Sequence, residues 1–457
     1  MELILKEKST EMKTILKYLI VLNILTVIVF AQEVQDITLE QCVKLAIKNN
    51  HQHQQALLSR EQAIEQEREA FGLSVLPQIN GTINYTNALE RGKVTFEIDG
   101  QPQTFSMGSR NTFTTGISLE QPLFSGALFL ATKIAKTFAE VTNKAADYSE
   151  DDLVLKVREA YYTYLLADSF VKLTDHQIKR AKENLDNSKI MYEAGMGAEY
   201  DYIRANVTYQ NLIPEKTGAL NQKKQSMNNL KLVMGSDLTT QYSISDSLLF
   251  TAKNLPDYDA GLDNLNSNNN LIQQMKLQTD LQDLNASYEW TKHLPEIQAF
   301  GNWQVQALDE YFVPKDWDYF NAANVGISLK LPIFKGFATS SKVEQAEIEH
   351  KISIENFIYT KESVKNNYEN VLLQINKSEE QINAYIIAME QAERGYQISV
   401  KRFNSGLGTQ LEITDAQGAL ISSQVNYLQS VYDYLLNHAR LDLLLGNKYT
   451  QIDFNLN

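Results

Sequence analysis

Gly116-Ile117-Ser118-Leu119-Glu120-Gln121-Pro122-Leu123-Phe124 returns later in the chain as Gly326-Ile327-Ser328-Leu329-Lys330-Leu331-Pro332-Ile333-Phe334, with Gly126 and Gly336 following. Both copies alternate, over Gly116 to Glu120 and Gly326 to Leu331, which is the pattern of a strand whose two faces meet different surroundings. Other signposts repeat in the same order around them. Leu76-Pro77-Gln78-Ile79 precedes the first copy, and Leu294-Pro295-Glu296-Ile297 precedes the second. Beyond them Val157 to Tyr161 is echoed by Val364 to Tyr368, Gly195-Met196-Gly197 by Gly406-Leu407-Gly408, and Leu232-Val233-Met234-Gly235 by Leu443-Leu444-Leu445-Gly446. Ordered matches of this kind mean that one structural unit is written twice.

Each unit carries two alternating segments. Ile79, Gly81, Ile83 and Tyr85 share one face of the first, opposite Gln78, Asn80, Thr82 and Asn84. In the second, Phe113, Thr115, Ile117 and Leu119 oppose Thr112, Thr114, Gly116 and Ser118. The later unit sets Ile297, Ala299, Trp303 and Val305 against Gln298, Asn302, Gln304 and Gln306, with Phe300 as the exception; Val325, Ile327, Leu329 and Leu331 then oppose Asn324, Gly326, Ser328 and Lys330. Faces of Asn, Gln, Thr and Ser suit a wet lumen, and the polar loops Asn87 to Arg110 and Leu308 to Asn321 suit the outer side of a barrel. Any one strand fits a soluble hairpin equally well. Four strands do not, because an open four-stranded sheet cannot sit in lipid with unpaired edges. Several chains must then share one closed barrel.

Between the signposts helix breakers vanish. Ala127 to Ala194 holds neither Gly nor Pro, and Phe337 to Ser405 holds only Gly395. At about 1.5 Å per residue, each stretch makes a rod on the order of 100 Å long. Leu153, Val157, Tyr161 and Tyr164, and again Val364, Tyr368, Val371 and Ile375, follow a coiled-coil seam, although the stripe alone fits any helical bundle. Each rod ends at a Gly-x-Gly tip and turns back into a helix, roughly Tyr200 to Met234 and Leu411 to Leu445. Pro214 is expected to kink the first of these.

The expected division is an export signal over 1–31, a first repeat over 32–235, a linker region over 236–270 and a second repeat over 271–457. Strands are expected at about 76–88, 111–124, 294–306 and 321–334, and hairpin tips at about 195–197 and 406–408. Lys13 and Lys17 precede an apolar run from Tyr18 to Phe30, and Val29 and Ala31 are the small residues of a cleavage site after Ala31. No internal apolar run approaches the roughly 20 residues of a membrane-spanning helix, so any membrane entry uses strands.

A formal charge of −14 has the wrong sign for gripping nucleic acid. Cys42 is the only cysteine, which rules out an intramolecular disulfide and reads as a small buried residue near a helix start. The six histidines are scattered, and His51 and His53 point to different faces of a helix, so no metal site or cofactor is expected. No G-x-S-x-G, Walker or HExxH arrangement appears, and the Gly-x-Gly pairs lack the third glycine of a dinucleotide loop. The chain does not read as an enzyme.

Over about Ile37 to Gly446 the sequence resembles the TolC-like outer membrane efflux protein family. The opening Ile37-Thr38-Leu39-Glu40-Gln41-Cys42-Val43-Lys44-Leu45-Ala46 is similar to the family's first helix, with Thr38 a sensible N-cap. The segments through Pro122 and Pro332 resemble its Leu-x-x-Pro-Leu-Phe-x-Gly pattern, present twice. The resemblance implies an α+β membrane protein, internally duplicated. Its four transmembrane strands per chain contribute to a trimeric twelve-stranded barrel, continued by a long coiled-coil helical tunnel across the periplasm. It places the protein in the outer membrane of a Gram-negative bacterium, as the exit channel of a tripartite efflux or type I secretion system. Implied partners are two further copies, a hexameric periplasmic adaptor, an inner-membrane pump of RND or ABC type, and outer-membrane lipid. Adaptor contact falls on Gly195, Met196, Gly406 and Leu407. An acidic ring at the entrance falls on Glu412 and Asp415, whose spacing puts both on one helix face, where an ordinary solvated acidic face is the alternative. The family's gating acid corresponds to Asp201, but its arginine partner is replaced by Gly408, so Tyr200 and Glu199 are left to close the aperture differently. The rival reading is an exported trimeric coiled coil with a structural or adhesive role, which explains the rods and export signal but not the paired strands.

Overall fold

Each half of the chain runs from helix to strand pair to long helix, turns at a tip, and comes back as a shorter helix. The computed structural model describes residues 35–451, and the expected export signal lies outside the described residues. In chain order the elements are β1 (Gln35–Asp36), α1 (Leu39–Asn49), α2 (His51–Val75), β2 (Gln78–Asn87), β3 (Lys93–Ile98), β4 (Gln101–Ser106), β5 (Asn111–Phe124) and α3 (Gly126–Glu193). There follow α4 (Glu199–Val233), β6 (Tyr242–Ser243), α5 (Tyr258–Asn268), α6 (Asn270–Thr291), β7 (Glu296–Asp309), β8 (Tyr319–Lys330), α7 (Ala338–Asn404) and α8 (Gln410–Leu445). By internal contacts the chain divides into two units, one from residues up to 55, 148–269 and 364 onward, the other from 56–147 and 270–363.

The second of these units holds a four-stranded antiparallel sheet in the order β2-β5-β7-β8. Its register decides what each face presents, because directly paired residues point to the same side. Ile79 pairs with Leu119, Gly81 with Ile117, Ile117 with Trp303, Ala299 with Ile327 and Ile297 with Leu329, giving one apolar face across all four strands. The other face carries a row of Asn80, Ser118, Asn302 and Asn324. Phe300, the exception in the alternation, sits on that polar face against Gly326, where an added Cβ would come within 2.7 Å of the ring. The glycine leaves the space that the ring fills. On the edge strand β8, Val325 is 89% exposed and Ile327 71%, so there no described residue covers the apolar face. At one end of the sheet Tyr85, Phe113, Phe312, Trp317 and Tyr319 make a cluster of stacked and edge-on rings. Asn111 ties the same end together: its carbonyl accepts from Tyr85 Oη at 2.7 Å and from Asn87 at 2.8 Å, while its amide donates to the Glu310 carbonyl.

One expectation changes here, and the linker region gains detail. The loop between 87 and 110 is itself a hairpin, β3 paired with β4, turning at Asp99 and Gly100 with φ 50 and 74. Positive φ at both central residues is the tight turn that matches strand twist, and Asp-Gly is a sequence that favours it. The region 236–270 also carries regular structure, with β6 pairing β1 and α5 starting at an Asp257 cap. The two proline signposts end differently. β8 stops at Lys330, ahead of Pro332, whereas β5 continues to Phe124 with a register shift between Pro122 and Phe124.

The first unit is mainly helical: it holds α4, with 35 residues, α8, with 36, and the later parts of α3 and α7, whose full lengths are 68 and 67 residues. Pro214 lies inside α4 without ending it. The expected seam is buried: Leu153, Val157, Tyr161 and Tyr164 on α3 and Val364, Tyr368, Val371 and Ile375 on α7 all lie in the core. Thr38 caps α1 in a reciprocal box with Gln41, and Cys42 is fully buried behind it, its thiol pushed up to about 12 by burial. α4 and α8 both lead into a left-handed glycine, Gly235 with φ 64 and Gly446 with φ 68.

Candidate functional site

The two hairpin tips are built alike. At the first, Gly195 has φ 69, its N–H donates to the Tyr192 carbonyl, and the Met196 N–H reaches the Met191 carbonyl at 2.9 Å. At the second, Gly406 has φ 69, its N–H donates to the Phe403 carbonyl, and the Leu407 N–H reaches Arg402 at 2.9 Å. This pair of bonds satisfies the last carbonyls of each rod, and only glycine takes the left-handed position without steric cost. The residue after each glycine is thereby pushed outward, so Met196 is 71% exposed and Leu407 73%.

The tips differ in what braces them. The first is apolar: Tyr192 stacks on Tyr202 with centroids 6.0 Å apart, and Ala198 caps α4 with no side-chain bond. Met191 packs against a buried cluster of Tyr396, Phe403, Ile413 and Leu420, which belongs to the second hairpin. The second tip is ionic. Arg402 donates to the Leu407 carbonyl at 2.9 Å and to Glu412 Oε2 at 3.3 Å, while Thr409 caps α8 by accepting from the Glu412 N–H. The expected acidic pair therefore divides into two environments. Glu412 is held by Arg402, whereas Asp415 is exposed and has no partner among the described residues.

No arginine stands at Gly408. A Cβ on it would lie 3.0 Å from Arg402 Cβ and 3.1 Å from Glu412 Oε2, so a side chain there requires its neighbours to shift, and the acid it would meet already holds Arg402. The guanidinium at this tip comes from Arg402, a residue the motif comparison passes over because it lies on the other side of the turn. Tyr200 is 66% exposed, and Asp201 sits in the first turn of α4 with no side-chain partner among the described residues. The structure does not bring Asp201 and Glu412 together as a bonded pair.

Farther up the rods a second brace joins α3 to α7. Arg180 bonds Glu393 at 2.9 Å and lies over the Tyr396 ring, 5.3 Å from its centroid. A guanidinium held by both a carboxylate and a ring face is a directional tie that lysine cannot copy. Among the described residues no group of His, Cys, Asp and Glu is placed to hold a metal ion, and no helix is long and apolar enough to cross a membrane. The arrangement offers ties and exposed apolar knobs at the two tips.

Comparison with known proteins fits this geometry. The outer membrane efflux protein family matches residues 42–236 and 261–447. The outer membrane protein TolC of Vibrio cholerae is 22% identical over 386 residues, covering 84% of this chain and 85% of its own. The alkaline protease secretion protein AprF of Pseudomonas aeruginosa is 22% identical over 413 residues, 88% of this chain and 83% of its own. Among solved structures, the Campylobacter jejuni CmeC outer membrane channel superposes with a TM-score of 0.74 at 18% identity, covering 89% of this chain and 85% of that one.

Proposed function

The chain belongs to the outer membrane efflux protein family, and from that premise we propose that three copies pool their sheets into one twelve-stranded barrel, continued by a tunnel of their long helices. As a member of that family it is an outer-membrane channel of Gram-negative bacteria, serving efflux or type I secretion, and it is not an enzyme. One observation supports the pooled barrel above the rest. The sheet carries an apolar face across all four strands, yet β2 and β8 each keep one unpaired edge. Lipid offers no hydrogen-bond partners, so each edge needs another copy's edge. The polar row then lines the lumen, the apolar face meets outer-membrane lipid, and the aromatic cluster takes the place of an interfacial girdle.

Transport through such a duct is passive. Energy comes from an inner-membrane pump of RND or ABC type, reached through a periplasmic adaptor that docks on the tips at Gly195, Met196, Gly406 and Leu407. Exposed Met196 and Leu407 are knobs that an apolar groove would cover. Glu412 and Asp415, three copies around one axis, form the acidic ring that favours cations at the entrance, and Asp201 with Tyr200 narrows the same aperture. Full-length protein extracted in detergent, sized by native mass spectrometry and reconstituted into planar bilayers, tests this. Trimers with discrete cation-favouring conductance steps are expected, less selective in Glu412→Gln/Asp415→Asn. A water-soluble monomer without conductance overturns the reading.

A further inference from the structure

Each returning helix ends against the segment that precedes the short helix of its half, but only the first half shows a cover over that joint. After α4, β6 lies parallel to β1: Tyr242 pairs with Gln35, Ser243 with Asp36, and the Ile37 N–H donates to the Ser243 carbonyl at 2.9 Å. Ile37 is then only 2% exposed, and Leu230 on α4 and its C-cap Met234 are wholly buried. The matching place after α8 is an open cleft of about 470 Å³, walled by Leu255, Pro256, Leu441 and Leu445 and bordered by Asn447.

The duplication fixes this match residue by residue. Counted back from the helix caps Thr38 and Asp257, Asn254, Leu255 and Pro256 stand where Gln35, Asp36 and Ile37 stand. Counted back from Gly235 and Gly446, Leu441 and Leu445 stand where Leu230 and Met234 stand. The linker side of the cleft is already held in place, since the Lys253 N–H donates to Tyr434 Oη on α8 at 2.8 Å. The Asn254 carbonyl, in the position from which Gln35 serves the first ladder, has no hydrogen-bond partner among the described residues.

The chain itself carries a fitting occupant. Thr240-Gln241-Tyr242-Ser243-Ile244, the stretch that holds β6, returns as Thr450-Gln451-Ile452-Asp453-Phe454, and residues 452–457 lie outside the described residues. A single 3₁₀ turn, Tyr449–Gln451, leads toward them and begins two residues beyond Asn447 of the cleft border. One difference between the copies is compensated. Pro256 has no N–H to give where Ile37 gives one, so a second ladder would be a bond shorter. Ile452 replaces the half-polar Tyr242, which makes both inward positions of the later copy purely apolar and raises what burial contributes.

We propose that the C-terminal segment of the same chain, Ile452 to Leu456, docks in this cleft as a short parallel strand. Asp453 lies beside Leu255, its N–H donates to the Asn254 carbonyl, and Ile452 and Phe454 are laid on Leu441 and Leu445. The segment thereby straps the linker to the end of α8, as β6 straps the start of the chain to the end of α4. This strap stands independently of the conduction pathway.

The test is cross-linking of full-length protein in a maltoside detergent with bismaleimidoethane, a short thiol-to-thiol linker. Leu255→Cys/Asp453→Cys is the reporting pair and Asp36→Cys/Asp453→Cys the control; Cys42 is fully buried and does not compete. Helical content is checked by circular dichroism, and Asn254→Cys, at an exposed position, replaces Leu255→Cys if that variant does not fold. Peptide mass spectrometry on the monomer band of a denaturing gel reads the links. Most chains are expected to link in the reporting pair and few in the control. Adding Phe454→Ala to the reporting pair should lower the yield several-fold, and Phe454→Leu should keep it. The proposal is overturned if no link forms, if the link joins two chains, if the control reacts as readily, or if Phe454→Ala leaves the yield unchanged.

Discussion

Asn269 repeats in the second half what Asn50 does in the first. Asn50 Nδ2 donates to the Val233 carbonyl at 2.8 Å, and Asn269 Nδ2 donates to the Leu444 carbonyl at 3.0 Å. Each ties the start of a half to the end of its returning helix, beside a left-handed glycine whose Cβ would strike backbone: Asn49 at Gly235, Asn268 at Gly446. Asn50→Ala and Asn269→Ala should each cost about 1 kcal/mol. Gly446→Ala, strained and in collision at once, should cost about 2 kcal/mol or more. Thermal unfolding in detergent checks the order, and equal midpoints for all three variants would remove the double clasp.

The ion pair between Arg158, 3% exposed, and Asp442, 26% exposed, makes an asymmetric prediction. Arg158→Met leaves a partly buried carboxylate without its charge partner and should cost about 2 kcal/mol. Adding Asp442→Leu removes the stranded charge, so the double variant should be more stable than the single one. A chemical denaturation series on the three proteins measures this.

His438 should give the helical unit an acid sensitivity. Its folded-state pKa lies near 4, below the ordinary 6.5, because burial and the facing cations Lys253 and Arg158 outweigh Asp442. The unfolded chain therefore takes up the proton first. The stability this group contributes is whole above about 6.5 and drains away as pH falls toward 4. His438→Met should lose stability less steeply over that window, read as the difference between two curves of midpoint against pH.

The two sheet faces should respond oppositely to charge. Ile327→Lys places an ammonium on the apolar face, where a midplane cation costs about 2–4 kcal/mol. Asn324→Lys places it on the polar face at little cost. Heat-modifiable mobility of outer-membrane fractions is expected to show assembled protein for Asn324→Lys and a loss for Ile327→Lys.

Arg402→Ala frees Glu412 at the second tip. If Glu412 and Asp415 line the entrance together, block of single channels by a trivalent cation should tighten, about tenfold per charge released. Unchanged block places the pair away from the pathway.

The strands, rods and tips were legible because each rests on a local rule: alternation from Ile79 to Tyr85, absence of breakers from Ala127 to Ala194, glycine at 195 and 406. The β3–β4 hairpin was legible too, in Val94, Phe96 and Ile98 around Asp99-Gly100, but its polar neighbours hid it inside a loop. Arg402 was not. Its role depends on the turn bringing it back to Leu407 and Glu412, and a motif aligned on Gly408 looks for the charge at that position. The environment of His438 was invisible for a related reason: the charges around it, from Lys253 to Asp442, converge only once the linker crosses the helix end.

The open edges of β2 and β8 also set a hazard along the route from synthesis to assembly. In the proposed assembly, a newly exported subunit carries two adhesive borders and a greasy flank through an aqueous compartment until neighbours arrive, and any stray strand could dock there. Sequestration by a holding chaperone, or rapid encounter with sister chains at the bilayer, is thus a requirement of biogenesis, and scarcity of either would surface as aggregates.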